Sequence, residues 1–426
     1  MQAIINAAVF DGHTFLPDGY VKFDRKIVEV GEMSAFDGCA QTTNGAGCVL
    51  LPGFVNAHHH SYTVFGRGWR PKSTGTDLMS ILKETWWKLD AMLGGDEVYA
   101  AGLYNAGELI KNGVTTVIEH HASGRIIEGS LERLKQAMGD EMGLRGIYCF
   151  ETSDRFPLDA CIRENQRFMQ EQHSDHAAGL FGMNAGFSLS DTSLKRIHEA
   201  VGDGPIHIHV GESEADSQIC LERYRHTALE RLDHYQLLNR NSILAHCANL
   251  GEGDWDLLRQ AEVHVALNLT SNLNNGVAPP DYRRLKAMQK PILLGCDGHS
   301  FDFAGELKKF YYIMRERYLG QAPVEMSDIW GILDHQYAYA GTLLGCRLGR
   351  VEPGYEADFV LTKYESPTPL TKETAPEHYL GGILESFCAK DVWCGGVQLL
   401  KDGMLLHRTD AARRVCRMAE EIWEQF

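Results

Sequence analysis

An alternation of strand-like and helical segments runs through the middle of the chain and limits the folds that it can adopt. Short apolar runs, typical of buried strands, alternate with stretches of helical periodicity from residue 52 to residue 349. The strand-like runs are the segment before His58 and residues 115–119, 144–150, 179–184, 205–210, 242–245, 264–268 and 291–295. Strands that alternate with helices form parallel sheets. Eight such units over roughly 300 residues predict a closed (β/α)8 TIM barrel.

An open, doubly wound sheet is the alternative arrangement of the same α/β pattern. That fold typically carries a glycine-rich phosphate-binding loop directly after an early strand. We find no such loop in the sequence. The closed barrel is therefore the preferred prediction.

The two ends of the chain differ from the middle in their predicted secondary structure. Residues 1–51 and 350–426 consist of short strand-like runs separated by turn residues, and a helix is expected at Ala411–Gln425. A β segment at each end suggests that the termini fold together. We predict a composite β-sandwich domain of residues 1–51 and 350–426, with the closing helix, beside a catalytic barrel of residues 52–349.

The amino-acid composition limits the kinds of molecule that the protein is expected to bind. The chain has 57 acidic and 41 basic residues and a formal charge of −16, which argues against nucleic acid or an anionic membrane. Its eleven cysteines are odd in number and form no C-x2-C pair, as expected of reduced thiols. No signal peptide and no apolar run of ~20 residues are visible. These features predict a cytoplasmic protein that acts on a small molecule.

Polar side chains stand at the ends of four predicted barrel strands, where loops begin and catalytic groups of such barrels lie. Side chains alternate along a strand, so His58 and His60 share one face while His59 points away. The same alternation applies to His207 and His209. The two remaining strand ends carry His246 and Asp297.

A metal ion explains this set better than chance. A single histidine such as His246 is ordinarily a hydrogen-bonded core residue. Burying several polar groups at one barrel mouth costs free energy unless they share a common partner. Three histidines and one carboxylate suit a catalytic Zn²⁺ or Fe²⁺ site. The expected reaction is attack by a metal-bound hydroxide on an electrophilic carbon. Glu212, three residues after His209, is the expected proton shuttle, and His246 can polarise the attacked group.

Four motifs resemble the signatures of the amidohydrolase superfamily. They are Pro52–His60 (PGFVNAHHH), His207–Glu212 (HIHVGE), Ala245–Cys247 (AHC) and Leu294–Gly298 (LGCDG). The resemblance spans nearly the whole chain and is strongest to the mononuclear-metal branch of deaminases and chlorohydrolases. Four further stretches resemble the aminohydrolase SsnA group, which is associated with purine catabolism: residues 85–90, 115–123, 149–155 and 366–370.

The resemblance implies roles for individual residues. The implied metal ligands are His58, His60, His209 and Asp297, and the implied acid–base and polarising residues are Glu212 and His246. The binuclear branch uses a carbamylated lysine on a middle strand, and residues 144–150 and 179–184 contain no lysine. One divalent ion per subunit is therefore expected, with Zn²⁺ favoured and Fe²⁺ possible. Relatives often form dimers, so a homodimer is expected by analogy.

Three further residues are candidate substrate contacts. His121 follows the second barrel strand, and Arg155 follows the third and carries a charge that suits a carboxylate or ring oxygen. Asn184 stands where relatives usually have a histidine, so a relative's substrate does not transfer directly. Asparagine offers both a donor and an acceptor but no charge.

Three functions remain open at this point. The preferred one is a deaminase that removes an exocyclic amine from a small nitrogen heterocycle of purine or pterin type and releases ammonia. The alternative, which Asn184 keeps open, is a cyclic amidohydrolase that opens a ring C–N bond in the manner of hydantoinases. The third is a non-catalytic binding protein, but such proteins usually lose ligands and this chain retains them all.

Overall fold

The computed structural model describes residues 1–69, 78–171, 173–318, 324–407 and 409–425. Its strands, in chain order, are β1 (Gln2–Phe10), β2 (Phe15–Phe23), β3 (Ile27–Glu32), β4 (Gln41–Asn44), β5 (Cys48–Pro52), β6 (Phe54–His59), β7 (Val114–His121), β8 (Arg145–Phe150), β9 (Ala177–Gly179), β10 (Phe181–Ala185), β11 (Ile206–Val210), β12 (Ile243–His246), β13 (His264–Leu267), β14 (Ile292–Leu294), β15 (Phe359–Lys363), β16 (Ala389–Cys394), β17 (Val397–Lys401) and β18 (Met404–Leu405).

Helices occupy most of the connections. They are α1 (Leu78–Ile81), α2 (Trp87–Asp90), α3 (Gly95–Lys111), α4 (Ser130–Leu134), α5 (Leu158–Glu171), α6 (Asp191–Val201), α7 (Glu214–Tyr224), α8 (Ala228–His234), α9 (Glu252–Gln260), α10 (Leu269–Asn274), α11 (Tyr282–Ala287), α12 (Phe303–Tyr318), α13 (Met326–Leu344), α14 (Ala375–His378) and α15 (Ala411–Trp423). Short 3₁₀ turns lie at Met33–Ala35, Ser61–Gly66 and Gly186–Ser188, and π-helical turns at Leu82–Trp86, Lys135–Glu141 and Tyr379–Ile383. Within the described ranges, none of these helices combines the length and the apolar character that crossing a bilayer requires.

Strands β6 to β14 form the barrel. They pair in parallel and in chain order from β6 to β9 and again from β10 to β14. Two parallel bridges join these sets, Thr152 with Met183 and His59 with Asp297, and so close the ring. The strand predicted at 179–184 is divided between β9 and β10, and together they occupy the fourth position. The predicted (β/α)8 barrel is confirmed.

Burial explains why the barrel strands are nearly continuous apolar runs. Every residue of β8, β11 and β12 is buried, because helices cover the outside of the ring and side chains fill its interior. Polar residues are therefore tolerated only where a strand ends at the mouth of the barrel or where they find partners.

The ends of the chain form a second assembly, the terminal sheet, built from β1–β5 and β15–β18. Its strand order is β18-β17-β16-β15-β5-β1-β2-β3, with β4 beside β1. The antiparallel pairing of β5 with β15 joins the two ends, with Cys48 opposite Lys363. Edge-to-face contacts of Phe23 with Phe359 and Trp393 lie in its core, at centroid distances of 5.3 and 6.2 Å. The two termini thus share one sheet, whereas the composite β-sandwich domain and its boundaries at residues 51/52 and 349/350 stay a prediction.

A buried arginine connects the barrel to the terminal sheet. Arg145, the first residue of β8, is fully buried, and its Nε atom lies 2.9 Å from Asp358 Oδ2. Its Nη2 atom lies 3.0 Å from Glu356 Oε2. Both carboxylates precede or lead into β15, so this ion-pair cluster bridges two parts of the fold that are far apart in sequence.

The last helix, α15, packs against the barrel. Its apolar face includes the buried residues Val415 and Ile422. The indole Nε1 of Trp423 donates a hydrogen bond of 2.7 Å to the carbonyl oxygen of Phe65, in the loop that follows the first barrel strand. The predicted closing helix is confirmed, and it contacts the loop that leads away from the histidine pair.

Candidate active site

The polar strand ends meet at one mouth of the barrel. His58 and His60 come from the end of β6, His209 from β11 and His246 from β12, and all four are buried. Asp297 follows β14, and its backbone N–H donates to the carbonyl oxygen of His58 at 2.9 Å. The four predicted metal ligands and the predicted polarising residue His246 are therefore brought together, although they span 240 positions of the chain.

Close backbone approach is needed to place Asp297 beside the histidine pair. Gly295 packs so tightly here that an added Cβ atom would lie 2.6 Å from the Cβ of His58. The backbone then turns into the left-handed region, with φ of +54° at Asp297, and His246 has φ of +71°. Such conformations are uncommon for residues other than glycine and concentrate at functional sites.

Three imidazole Nε2 atoms point at one another. The Nε2 atom of His209 lies 3.1 Å from that of His60 and 3.2 Å from that of His58. The Nδ1 atoms of His60 and His209 each donate to a backbone carbonyl at 2.6 Å, that of His120 and that of Asn184 respectively. Because a carbonyl can only accept, these contacts place the ring protons on Nδ1. The facing Nε2 atoms of His60 and His209 therefore carry lone pairs.

A bound cation would account for imidazole lone pairs that face one another. Burial is the main cause that lowers the pKa of His60 to about 3, and it also lowers the pKa of His58 and His209. The rings are therefore neutral at neutral pH, and no proton separates their lone pairs. Ligand nitrogens around a tetrahedral zinc ion, each about 2.0–2.1 Å from it, are roughly 3.3 Å apart, which resembles the observed spacing. The donor set fits a divalent metal ion.

The third ring, that of His58, is oriented by a chain of buried groups. Its Nδ1 atom lies 2.8 Å from His207 Nε2, and His207 Nδ1 lies 3.8 Å from the sulfur of Cys149. Burial raises the pKa of Cys149 well above its usual range, and the thiol donates to the carbonyl oxygen of Glu119 at 3.6 Å. The sulfur then accepts from His207 Nδ1–H, and His207 Nε2 accepts from His58 Nδ1–H. The Nε2 atom of His58 is left with a free lone pair toward the site.

Asp297 and His246 complete this side of the site. The two carboxylate oxygens of Asp297 lie 3.4 Å from His60 Nε2 and 3.6 Å from His246 Nε2. Although burial opposes it, the surrounding imidazoles hold the pKa of Asp297 below its usual range. His246 Nδ1 lies 3.3 Å from the side-chain oxygen of Asn272, and its buried Nε2 makes no hydrogen bond within the described structure.

Glu212 lines the cavity next to this cluster. Its backbone N–H donates to Asp216 Oδ2 at 3.1 Å, which holds the start of the β11–α7 loop. Burial, reinforced by the carboxylates of Asp297 and Glu151, raises the pKa of Glu212 to about 7 despite the opposing effect of His209. A carboxyl with such a pKa can accept and release a proton near neutral pH.

A family model described as "Amidohydrolase family" matches residues 49–399. The chain belongs to the amidohydrolase family. The match covers the barrel together with most of β15–β17, so it includes every residue of the site described above.

Individual relatives extend over almost the full length. The 5-methylthioadenosine/S-adenosylhomocysteine deaminase of Desulfitobacterium hafniense (strain DSM 10664 / DCB-2) is 26% identical over 425 residues, covering 96% of this chain and 94% of that protein. The 5'-deoxyadenosine deaminase of Methanothermobacter thermautotrophicus is 26% identical over 397 residues, covering 90% and 89%. Among solved structures, an adenosine deaminase from Xanthomonas campestris with bound zinc superposes with a TM-score of 0.81 at 20% identity, covering 100% of this chain and 98% of that one.

The structure places one of the three candidate substrate contacts at the cavity. Asn184 lines the cavity. His121 and Arg155 are not among its lining residues: His121 Nε2 contacts Ser123 Oγ at 3.0 Å, and Arg155 pairs with Asp90 at 2.9 and 3.0 Å. Trp86, Trp87 and His299 also line this cavity.

Two further polar residues belong to this site and were missed by the sequence reasoning. His120 and Glu151 lie with His60 and His209 in a group whose possible ligand atoms are all within 4.8 Å of one another. Against the effect of burial, His120 and the neighbouring rings hold the pKa of Glu151 below its usual range. The signal was present, because both residues stand at strand ends. The strand was predicted to stop at residue 119, whereas β7 continues to His121.

Proposed function

We propose that this amidohydrolase is a metal-dependent deaminase of a small nitrogen heterocycle. The observation that carries the proposal is the pair of Nε2 atoms of His60 and His209, 3.1 Å apart and deprotonated because both Nδ1 atoms donate to carbonyls. Their position beside a buried carboxyl, Glu212, with a pKa of about 7 supports hydrolysis with proton transfer.

The proposed ligands of one divalent ion are His58, His60, His209 and Asp297. Zn²⁺ is favoured because the donor set is nitrogen-rich, and Fe²⁺ is the alternative. Such an ion, when bound, lowers the pKa of a coordinated water to about 7 and polarises the substrate. The chain's own contribution is to hold three neutral imidazoles and one carboxylate in place without a proton between them.

Glu212 is assigned the proton transfers. It takes a proton from the attacking water and delivers it to the exocyclic nitrogen, which leaves as ammonia while the carbon keeps the oxygen. Asp297 accepts a hydrogen bond from the water, and His246 stands next to Asp297 to stabilise charge that develops on the ring. Asn184, which also lines the cavity, is the proposed substrate contact.

An aminated purine- or pterin-type ring is the proposed substrate class. The cavity is lined by aromatic rings, including Tyr62, Trp87 and Phe187, that suit a flat heterocycle. The relatives named above are adenosine-type deaminases, which supports removal of an exocyclic amine. A role in purine catabolism, a cytoplasmic location and a homodimeric state stay predictions.

The test is product identification. The purified protein, loaded with Zn²⁺ or with Fe²⁺ under anaerobic conditions, is incubated with aminated purines, pterins, pyrimidines and cyclic ureas, with mass spectrometry and an ammonia assay in parallel. The expected product has NH replaced by O, with stoichiometric ammonia that disappears after chelation and returns with the metal. A product heavier by one water without ammonia would identify ring opening. No product from any substrate would contradict both hydrolytic functions.

A further inference from the structure

One carboxylate of the cavity has no part in the chemistry proposed above. Glu151 directly follows β8 and is 2% exposed, and its backbone N–H is held by the carbonyl oxygen of His121 at 2.7 Å. It lines the same cavity as Glu212 and Asp297. Its position is therefore fixed by the barrel, and its side chain faces the space that a substrate would occupy.

The oxygens of Glu151 are held in place but have acceptor capacity to spare. One oxygen lies 3.4 Å from His120 Nδ1 and the other 3.6 Å from Arg155 Nη2. Both distances exceed the 2.7–2.9 Å of a charge-assisted hydrogen bond. An ionised carboxylate accepts up to about four hydrogen bonds, and a buried one is costly when those acceptor positions stay empty.

The partners of Glu151 are themselves fixed. Arg155 forms two contacts with Asp90, at 2.9 and 3.0 Å. Its guanidinium carbon also lies 4.9 Å from the ring centroid of Trp87 and 4.7 Å from that of Phe156. Arg155 is held by these contacts and is not among the residues that line the cavity, so it leaves the cavity-facing side of the Glu151 carboxylate open to a ligand.

The remaining lining indicates which ligand would satisfy this carboxylate. Among the described residues that line the cavity there are three acidic side chains and no lysine or arginine. An anionic ligand is disfavoured in this cavity because the acidic side chains repel it. A flat ring stacked among the aromatic residues can instead present N–H groups to Glu151.

We propose that Glu151 is a specificity residue that accepts hydrogen bonds from ring or exocyclic N–H donors of the substrate other than the amine that leaves. The inference rests on the proposed function and narrows its substrate class. It selects aminated heterocycles that carry a lactam or amidine N–H edge. An adenine nucleoside substituted at N9 has no N–H on its ring apart from the 6-amino group that is lost, so it leaves Glu151 unpaired and buried.

Ligand binding tests this without turnover. Xanthine and lumazine, which bear lactam N–H groups but no exocyclic amine that could be lost, are titrated into the zinc-loaded protein by calorimetry, in parallel with their mono-N-methyl isomers. For a parent compound that binds, we expect at least one of its mono-N-methyl isomers to have an affinity about 10- to 100-fold lower than that of the parent. This decrease corresponds to the loss of one hydrogen bond to a charged group. The inference is overturned if neither parent binds, or if all isomers bind within twofold of their parent.

A variant locates the effect at Glu151. In Glu151→Gln, affinity for the parent should fall about 10- to 100-fold, while affinity for the discriminating methyl isomer and the zinc content stay unchanged. Glu128→Gln, which removes an exposed carboxylate paired with Arg163, is the matched control and should behave as wild type. Loss of zinc in Glu151→Gln would make it a metal ligand and overturn the inference. If this variant does not fold, the methyl series on the wild-type protein decides alone.

The two proposals fail differently. If the methyl series discriminates but no aminated ring yields ammonia, the deaminase proposal is wrong and the role of Glu151 in binding stands. If ammonia is released equally well from N9-substituted adenine nucleosides and from lactam-bearing amines, with no effect of Glu151→Gln on either, the deaminase proposal stands and the role of Glu151 is wrong.

Discussion

The Nδ1 atom of His58 lies 2.8 Å from the Nε2 atom of His207, and both rings are fully buried. The contact directs the proton of His58 away from the candidate metal ligands and leaves its Nε2 lone pair facing His209 at 3.2 Å. Groups that orient a metal-binding imidazole in this way are expected to raise its affinity for the ion.

Replacement of His207 should weaken metal binding before it affects the fold. In His207→Phe the acceptor for His58 Nδ1–H is lost, and we expect zinc affinity to fall by about 10- to 100-fold. Chelator competition measures this affinity, and the absorption spectrum of the Co²⁺-loaded protein reports the ligand geometry. His264→Phe, on the opposite end of a barrel strand, is the control. Unchanged affinity and spectrum in His207→Phe would show that the contact has no role in orienting His58.

Removal of the Glu212 carboxylate should abolish turnover while the metal remains. Glu212→Gln keeps the shape of the side chain but cannot shuttle a proton, so kcat should fall by at least about 10²- to 10⁴-fold. Steady-state kinetics and metal analysis of the same sample check this. Asp254→Asn, which changes a buried carboxylate that caps α9, should leave kcat near wild type. Full activity of Glu212→Gln would contradict the assigned role.

The Arg145 cluster should matter for stability rather than for catalysis. Arg145→Met leaves the carboxylate of Asp358 buried without its cation, while Glu356 keeps only Arg25 and Lys26, each at 3.5 Å. Breaking such a buried pair typically costs about 3–5 kcal/mol. Urea denaturation followed by circular dichroism measures the free energy of unfolding. Arg163→Met, which removes an exposed ion pair, should cost about 0–1 kcal/mol. Equal losses in the two variants would mean that the cluster does not connect barrel and sheet energetically.

The pH dependence of stability should include a contribution from Glu119. Burial raises the pKa of this carboxyl to about 8, although Ser61 donates to it from its backbone N–H at 2.7 Å and from its hydroxyl at 2.8 Å. Between its unfolded pKa of about 4.3 and about 8, the folded state binds the extra proton. The free energy of unfolding from this group therefore decreases as pH rises through that window, by up to about 1.4 kcal/mol per pH unit.

Glu119→Gln isolates this contribution. The difference in unfolding free energy between wild type and variant, measured from pH 5 to pH 8, should shift in favour of the variant as pH rises. A difference that stays constant with pH would show that the carboxyl titrates alike in the folded and unfolded states.

Local patterns in the sequence were sufficient for the strands and for several site residues. The period of two along β6 predicts that His58 and His60 share a face while His59 turns away, and the structure places His59 Nε2 at 2.9 Å from Asn105 of α3. The alternation of strand and helix predicts the barrel, because each unit must bury its apolar faces against its neighbours. The rule that catalytic groups follow barrel strands then brings Asp297 to His58.

Residues whose role depends on a neighbour in space were not assigned from the sequence. Trp86 and Trp87 are large apolar residues of the kind that fills a protein core. They line the cavity only because α2 and the turn before it pack against the mouth of the barrel. His120 and His121 are adjacent and chemically identical, and the two-residue extension of β7 decides which one faces the metal site.

The sequence by itself determined the architecture and the chemical class of the site, because periodicity and strand-end position are properties of short segments. Tertiary structure alone decided the protonation of the imidazoles and the setting of Glu151. His58 and His207 are 149 positions apart, and their 2.8 Å contact exists only when the barrel closes. Hydrogen-bond direction and burial depend on such contacts, and they in turn set the charge that each buried group carries.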